Sequence, residues 1–155
     1  MQGMSVIVKS VARLVVPFVA VFGLYDVVYG HVEPGGGFSG GVILAASGVL
    51  VVLAFGEAYA RRILSLEAVR WTGSAGALAF LAVALGGYAA GGFFVSFVGR
   101  GEVGGLVSGG TVAISSLAVG IEVAAVLFGV FVALAAFRRT TAGGKKEVDV
   151  LQSDI

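Results

Sequence analysis

The chain has 155 residues, of which 58% are apolar and 12% charged, and its 26 glycines come in addition to the apolar share. A soluble domain has roughly 45–50% apolar residues with glycine included and about 25% charged residues, so this composition argues against a soluble globular enzyme. It also argues against intrinsic disorder, which requires low hydrophobicity and high charge. A formal net charge of +1 indicates no nucleic-acid partner. With no cysteine and a single histidine, we expect no bound metal and no cofactor.

Four apolar stretches are long enough to cross a bilayer as helices, which takes about 20 residues each. They cover residues 11–29, 38–60, 71–98 and 106–137. The pattern predicts an all-α integral membrane protein with a four-helix domain over residues 1–139. A short polar tail follows over residues 140–155, and we expect it to have little structure of its own.

The basic residues predict the orientation of the chain. Nine of the ten lysines and arginines lie near the N-terminus, between the second and third stretches, or after the fourth, and Arg100 is the exception. Because lysine and arginine favour the cytoplasmic side of short loops, both termini are predicted to be cytoplasmic. The protein is then a multi-pass protein of the cell (cytoplasmic) membrane, with the segment that joins the first two helices on the outer face.

Glycine is unusually frequent, at about 17% of the chain where about 7% is typical. Within a bilayer, small residues at four-residue spacing let helices approach closely and gain packing energy. Such spacing occurs at Gly37, Gly41 and Ala45, at Gly87 and Gly91, and at Gly105 and Gly109. These faces predict packing against helices of other chains and therefore a place in a larger complex.

The most specific motif is the glycine-rich run GHVEPGGGFSGG at residues 30–41. It lacks the Gly-Lys-Ser/Thr ending of a phosphate-binding loop and the preceding strand of a dinucleotide fingerprint. Pro34 stops the helix, and the three glycines after it allow backbone angles that side chains forbid. A tight turn on the outer face is therefore expected, with its freed amides bonded within protein.

This run resembles the signature of the B subunit of the multisubunit Mrp-type (Mnh) sodium/proton antiporters. The matching residues are Gly30, His31, Pro34, Gly35, Gly36, Gly37, Phe38, Gly40 and Gly41, with Pro17 and Tyr25 upstream. The resemblance implies a small membrane subunit that braces neighbouring subunits of a sodium- or proton-transporting complex. Similar subunits occur in the membrane arms of archaeal membrane-bound hydrogenases and related respiratory complexes. Glu33 departs from the pattern, since Asn, Ser or Thr is expected there.

His31 has two interpretations. An imidazole gains and loses a proton near neutral pH and can relay protons. Alternatively, it forms a structural hydrogen bond that pins the glycine turn, with Asp26 or Glu33 as its partner.

Glu122 is the strongest candidate for a role in ion transport. It lies about sixteen residues, or about 24 Å, into the fourth stretch, where a charge costs at least ~2.5–3.5 kcal/mol and usually faces protein or water. On a helical projection its face carries small or hydroxylated residues: Ser108, Thr111, Ser115, Ala118, Ala125 and Gly129. The opposite face carries bulky residues: Leu117, Ile121, Leu127, Phe128, Phe131 and Leu134.

We therefore place Glu122, Ser115, Thr111 and, less centrally, Asp26 on a candidate ion path. Proton relay, transient sodium binding, and a structural hydrogen bond from a protonated Glu122 across a subunit interface all stay open. The favoured function is a non-catalytic membrane subunit of an Mrp-type antiport module. Its partners are other membrane subunits, the lipid bilayer, and Na⁺ or H⁺ as transported ions. The alternative is a small homo-oligomeric transporter or channel lined by Glu122.

Overall fold

The computed structural model describes residues 4–32, 35–56, 59, 65–98 and 108–153, with residues 138–153 described by their backbone alone. Within these residues the chain forms four α-helices: α1 Val6–Tyr29, α2 Gly37–Phe55, α3 Leu66–Gly86 and α4 Thr111–Ser153. All four are long and apolar enough to cross a membrane. The predicted all-α fold with four crossings is confirmed.

The first helix begins five residues earlier than predicted, at Val6. Lys9 and Arg13 lie inside it, because long basic side chains can bury their stems while their charged ends reach toward the membrane surface. Pro17 is also helical. Of its 24 residues, Gly23 and Val27 alone are buried, so α1 presents most of its surface outward.

The third helix is shorter than predicted. It begins after Ser65, whose hydroxyl accepts a hydrogen bond from the Ala68 amide. The helix ends at Gly86 and is followed by a 3₁₀ turn over Gly87–Ala90. The chain then reverses at Gly91, which has φ 104°, and the Phe94 amide donates a hydrogen bond back to Ala84 O at 3.2 Å.

Residues 91–98 are therefore not part of the crossing, although they are as apolar as a spanning helix. A Cβ atom at Gly87 would lie 2.7 Å from the backbone of Gly92, Phe94 and Val95. Gly87 thus makes room for the chain reversal. The expectation that Gly87 and Gly91 form a helix-packing pair was wrong, because both glycines lie beyond α3, which ends at Gly86.

The fourth helix continues beyond its membrane span, which covers Thr111–Phe137. The backbone stays helical to Ser153, so the tail that we expected to have little structure is an extension of α4. Its two lysines, Ala142 and Glu147 are strong helix formers. Hydropathy cannot show this continuation, since it detects only the apolar part of a helix.

The helices pack in the order α1, α2, α4, α3, with α2 and α4 in the middle. The hydrophobic core lies between the two central helices and comprises Ala45, Val52, Phe128 and Val132. Gly48 admits the Phe128 ring, since a Cβ atom there would lie 2.9 Å from Phe128 Cδ2. Phe128 is 5% exposed, so the side of α4 opposite Glu122 is partly covered by the core.

Candidate functional site

The start of α2 packs closely against the end of α1 and against α4 of the same chain. We call this contact the glycine junction, comprising Val27 of α1, Gly37, Gly40 and Gly41 of α2, and Gly120 of α4. A Cβ atom at Gly37 would meet Ser116 O, and one at Gly41 would lie 2.7 Å from Gly120 O. Val27 fills the centre of the junction and is 2% exposed.

These close contacts all lie within one chain. The Gly37, Gly41 and Ala45 stripe thus joins α2 to α4 of the same chain, whereas its spacing alone suggested packing against other subunits. Ser116 Oγ donates a hydrogen bond to Val27 O at 3.3 Å, which occupies one of the carbonyls left open at the end of α1. The junction therefore fixes α1, α2 and α4 at one end of the bundle. A role of these glycines in assembly stays a prediction.

The turn between α1 and α2 depends on two glycines for different reasons. Gly36 has φ 143° and ψ −175°, a conformation that essentially only glycine adopts. Space is not the constraint there, because a Cβ atom would have only Gly30 O nearby, at 3.9 Å. At Gly30 space is the constraint, since a Cβ atom would collide with the backbone of Gly36. Pro34 lies outside the described residues.

Asp26 ties the end of α1 to the start of α2. Ser39 Oγ donates a hydrogen bond to Asp26 Oδ2 at 2.7 Å and lies 3.1 Å from Gly36 O. A Cβ atom at Gly35 would collide with Asp26 Oδ1, so the carboxylate occupies the space that this glycine leaves. Sequence reasoning missed Ser39, which we treated as a variable position. The sequence signal that could have identified this contact is a hydroxyl residue at the third position of a helix, when the helix before it carries an acidic residue in its last turn.

His31 and Phe38 have different surroundings in the same loop region. The His31 ring lies over the turn before α4, where a Cβ atom at Gly109 would be 2.8 Å from His31 Cδ2. The loop is thus fixed against α4 as well. Phe38 is 66% exposed and points away from the bundle. Both interpretations of His31 stay predictions.

Glu122 lies where α3 and α4 pack through small residues. We call this contact the Glu122 seam, comprising Gly73 and Gly76 of α3 and Ala118, Glu122 and Val126 of α4. A Cβ atom at Gly76 would lie 2.9 Å from Glu122 Cβ and 3.0 Å from Ala118 O, so the two backbones approach closely. Glu122 is half-buried.

The two hydroxyl residues of the candidate path are buried and bonded locally. Thr111 is 2% exposed and Ser115 is 8% exposed. Thr111 Oγ1 donates to Ser96 Oγ at 3.0 Å, and Ser115 Oγ donates to Thr111 O at 3.0 Å. Glu122 follows seven residues later, or about 10 Å along the helix.

The structure therefore arranges Thr111, Ser115 and Glu122 along one face of α4, as predicted, but not in one cluster. Asp26 lies apart from them, at the contact of α1 with α2. Among the described residues, no three acidic or histidine side chains lie together so that they could hold a metal ion.

A family model described as "Domain related to MnhB subunit of Na+/H+ antiporter" matches residues 7–129. The chain belongs to the MnhB family. The resemblance found in the loop motif is thereby confirmed, and the match covers all four membrane-spanning helices at least in part. Together with these helices, family membership identifies a multi-pass membrane protein, for which the cytoplasmic membrane is the usual location.

Individual proteins that this chain resembles are described as antiporter subunits, in agreement with the family. The antiporter subunit mnhB2 of Staphylococcus epidermidis is 44% identical over 55 residues, which is 36% of this chain and 39% of that protein. The mnhB2 subunit of Staphylococcus aureus is 42% identical over 55 residues. The matched part thus spans well under half of these relatives.

A solved structure is similar over a larger part of the MnhB-family chain. It is a chain of the membrane-bound sulfane sulfur reductase, described as an archaeal respiratory membrane complex. The match has a TM-score of 0.71 and 34% sequence identity, and it covers 82% of this chain and 56% of the other. At this identity the similarity extends beyond the fold to a shared family origin.

Proposed function

We propose that this MnhB-family chain is a non-catalytic membrane subunit of a sodium/proton antiport module. The module is either a free-standing antiporter or part of the membrane arm of a respiratory complex. The observation that carries this proposal is the 34% identity and 0.71 TM-score to a chain of an archaeal respiratory membrane complex. The match of an antiporter-subunit family model to residues 7–129 supports the transport role.

The proposal includes the orientation predicted from the basic residues. Both termini are cytoplasmic, so the glycine junction and the loop before it lie at the outer face. Asp26, with Ser39, is then near the outer water, and Glu122 is near the middle of the membrane. This order suits the passage of Na⁺ or H⁺ from the outer surface toward the membrane centre, with neighbouring subunits completing the path.

The alternative, a homo-oligomeric transporter lined by Glu122, has less support. The Staphylococcus relatives are described as antiporter subunits, and the solved relative belongs to a membrane complex.

Glu122→Gln tests the transport role, with Glu67→Gln as the matched control because Glu67 is exposed in the first turn of α3. A hydrogen bond to a charged group contributes about 1.5–3 kcal/mol, so we expect ion-coupled activity of the assembled complex to fall roughly tenfold or more. The control should retain full activity, and both variants should assemble. Unchanged transport in Glu122→Gln would reduce Glu122 to a structural role.

A further inference from the structure

Glu122 lies deep in the span Thr111–Phe137 of α4. It is eleven residues from one end and fifteen from the other, or about 16 Å and 22 Å at 1.5 Å per residue. Acidic side chains at this depth almost always pair with another group or face water. Among the residues that the structure describes, none forms a hydrogen bond or an ion pair with Glu122. A partner group or water that meets Glu122 therefore has to come from outside this set.

The surface around Glu122 indicates what kind of partner fits. Gly76 leaves room for the acidic side chain at the edge of the α3–α4 contact. On the outward side of Glu122, Val126 and Val130 are each 50% exposed, and Val112 is 61% exposed. One carboxyl group thus lies in a strip of exposed valines. This strip suits an apolar helix that carries one polar residue better than it suits a water-filled channel.

Charge complementarity selects among the possible occupants. Lipid acyl chains would leave the carboxyl group without a partner, at a cost of at least ~2.5–3.5 kcal/mol if it is charged. A second copy of this chain, related by two-fold symmetry, would bring the same surface and hence a second Glu122. A different chain with a cationic side chain at this depth complements both the acid and the valines.

We propose that the Glu122 seam binds a transmembrane helix of a different subunit, which presents a lysine, arginine or histidine to Glu122. This inference rests on the proposed function, because it requires a host complex with other membrane subunits. Beyond the proposed function, it specifies which face of this subunit makes the contact and which type of residue binds Glu122. The glycine junction is not part of this interface.

The chain contains no cysteine, so a single introduced cysteine is the one position on this chain that can carry a photoreactive benzophenone group. Val126→Cys places the probe one turn from Glu122 on the exposed strip. Leu117→Cys is the matched control, since Leu117 is 43% exposed and lies on the opposite side of α4. Both are tested in native membranes that contain the assembled complex.

We expect illumination of Val126→Cys to yield an adduct with one other polypeptide, and we expect this adduct to be lost in Leu117→Cys. Adducts of Val126→Cys with lipid alone, or with a second copy of the chain, would overturn the proposal. Equal capture of the same polypeptide from both positions would also overturn it.

A charge change at Glu122 tests the second half of the proposal. Glu122→Lys, added to Val126→Cys, should abolish the adduct by like-charge repulsion, whereas Glu122→Gln should preserve it. Because lysine at this depth can also hinder insertion, the adduct is measured per inserted chain, and Glu67→Lys serves as the control. An adduct unchanged by Glu122→Lys would exclude a cationic partner.

The two proposals fail in different ways. An adduct from Val126→Cys with normal transport in Glu122→Gln would keep the docking surface and reject the ion-path role. Lost transport in Glu122→Gln without any polypeptide adduct would keep the ion-path role and reject the docking surface.

Discussion

The glycine junction and the Glu122 seam are both built from small residues, yet they differ in how completely the chain itself covers them. At the junction, Val27 is 2% exposed and Ser116 hydrogen-bonds its carbonyl group. At the seam, Glu122 is only half-buried and Val126 beside it is 50% exposed. Small residues therefore allow close helix contacts within the chain in both places. The seam differs because it leaves exposed side chains at its edge, where a second chain can bind under our proposal.

The largest effect is expected from Gly37→Ala in the junction, compared with Gly73→Ala in the seam. A Cβ atom at Gly37 would collide with Ser116 O, whereas one at Gly73 would lie at an ordinary 3.4 Å from Val126 Cγ2. Overpacking of this kind costs about 1–3 kcal/mol or more, and alanine in place of glycine inside a helix gains roughly 0.5–1 kcal/mol. Thermal unfolding in detergent should show Gly37→Ala clearly destabilised and Gly73→Ala unchanged or stabilised. Equal midpoints would mean that the junction is not tightly packed.

The next effect is expected from Gly36→Val, which tests backbone conformation separately from space. The dihedral angles of Gly36 cost a side-chain-bearing residue about 1–3 kcal/mol, although the site has room for a Cβ atom. We expect reduced assembly of the host complex, measured by copurification. Gly91→Val is the control, because Gly91 also has a positive φ and open space but lies away from the junction. A fully assembled Gly36→Val complex would argue against a bracing role for the loop.

A smaller effect is expected from Ser39→Ala, which removes the hydrogen bond to Asp26. Hydrogen bonds to charged groups contribute about 1.5–3 kcal/mol, and this one is only partly buried. We therefore expect the thermal midpoint to fall by a few degrees. Ser47→Ala is the control, because the Ser47 hydroxyl donates only to Leu44 O in its own helix. Identical midpoints for the two variants would show that the Asp26–Ser39 contact adds no stability.

The smallest effect on the isolated chain is expected from Phe38→Ala. Phe38 is 66% exposed, and exposed substitutions usually change stability by less than about 0.5 kcal/mol. In the complex, however, the loss of this large apolar side chain should weaken copurification of the neighbouring subunits. Unchanged copurification would mean that the loop region contributes to the fold of this chain but not to contacts with neighbouring subunits.

Much of the fold could be predicted from the sequence, because hydropathy reports directly on the length of a crossing. The end of α3 could not be predicted in this way. Residues 91–98 are apolar, and the helix ends because Gly91 adopts a positive φ and the Phe94 amide bonds back to Ala84 O. Hydropathy contains no information about such a reversal.

The candidate site shows the same division. The face of α4 that carries Thr111, Ser115 and Glu122 follows from helical periodicity, which is a local property. The contacts of Ser39 with Asp26 and of His31 with Gly109 depend on how separate segments meet, and a single sequence does not reveal them. The burial of Phe128 likewise depends on the absence of a side chain at Gly48 of another helix.

The central claim is that this chain is one subunit of an assembly of different membrane proteins. Native mass spectrometry of the complex, extracted from membranes in a mild detergent, tests it most directly. We predict that the chain is found in a complex with several other polypeptides. Its dissociation from the complex should show one copy or a few copies of this chain per complex. A species that contains only this chain, alone or as a multiple of its own mass, would contradict the account.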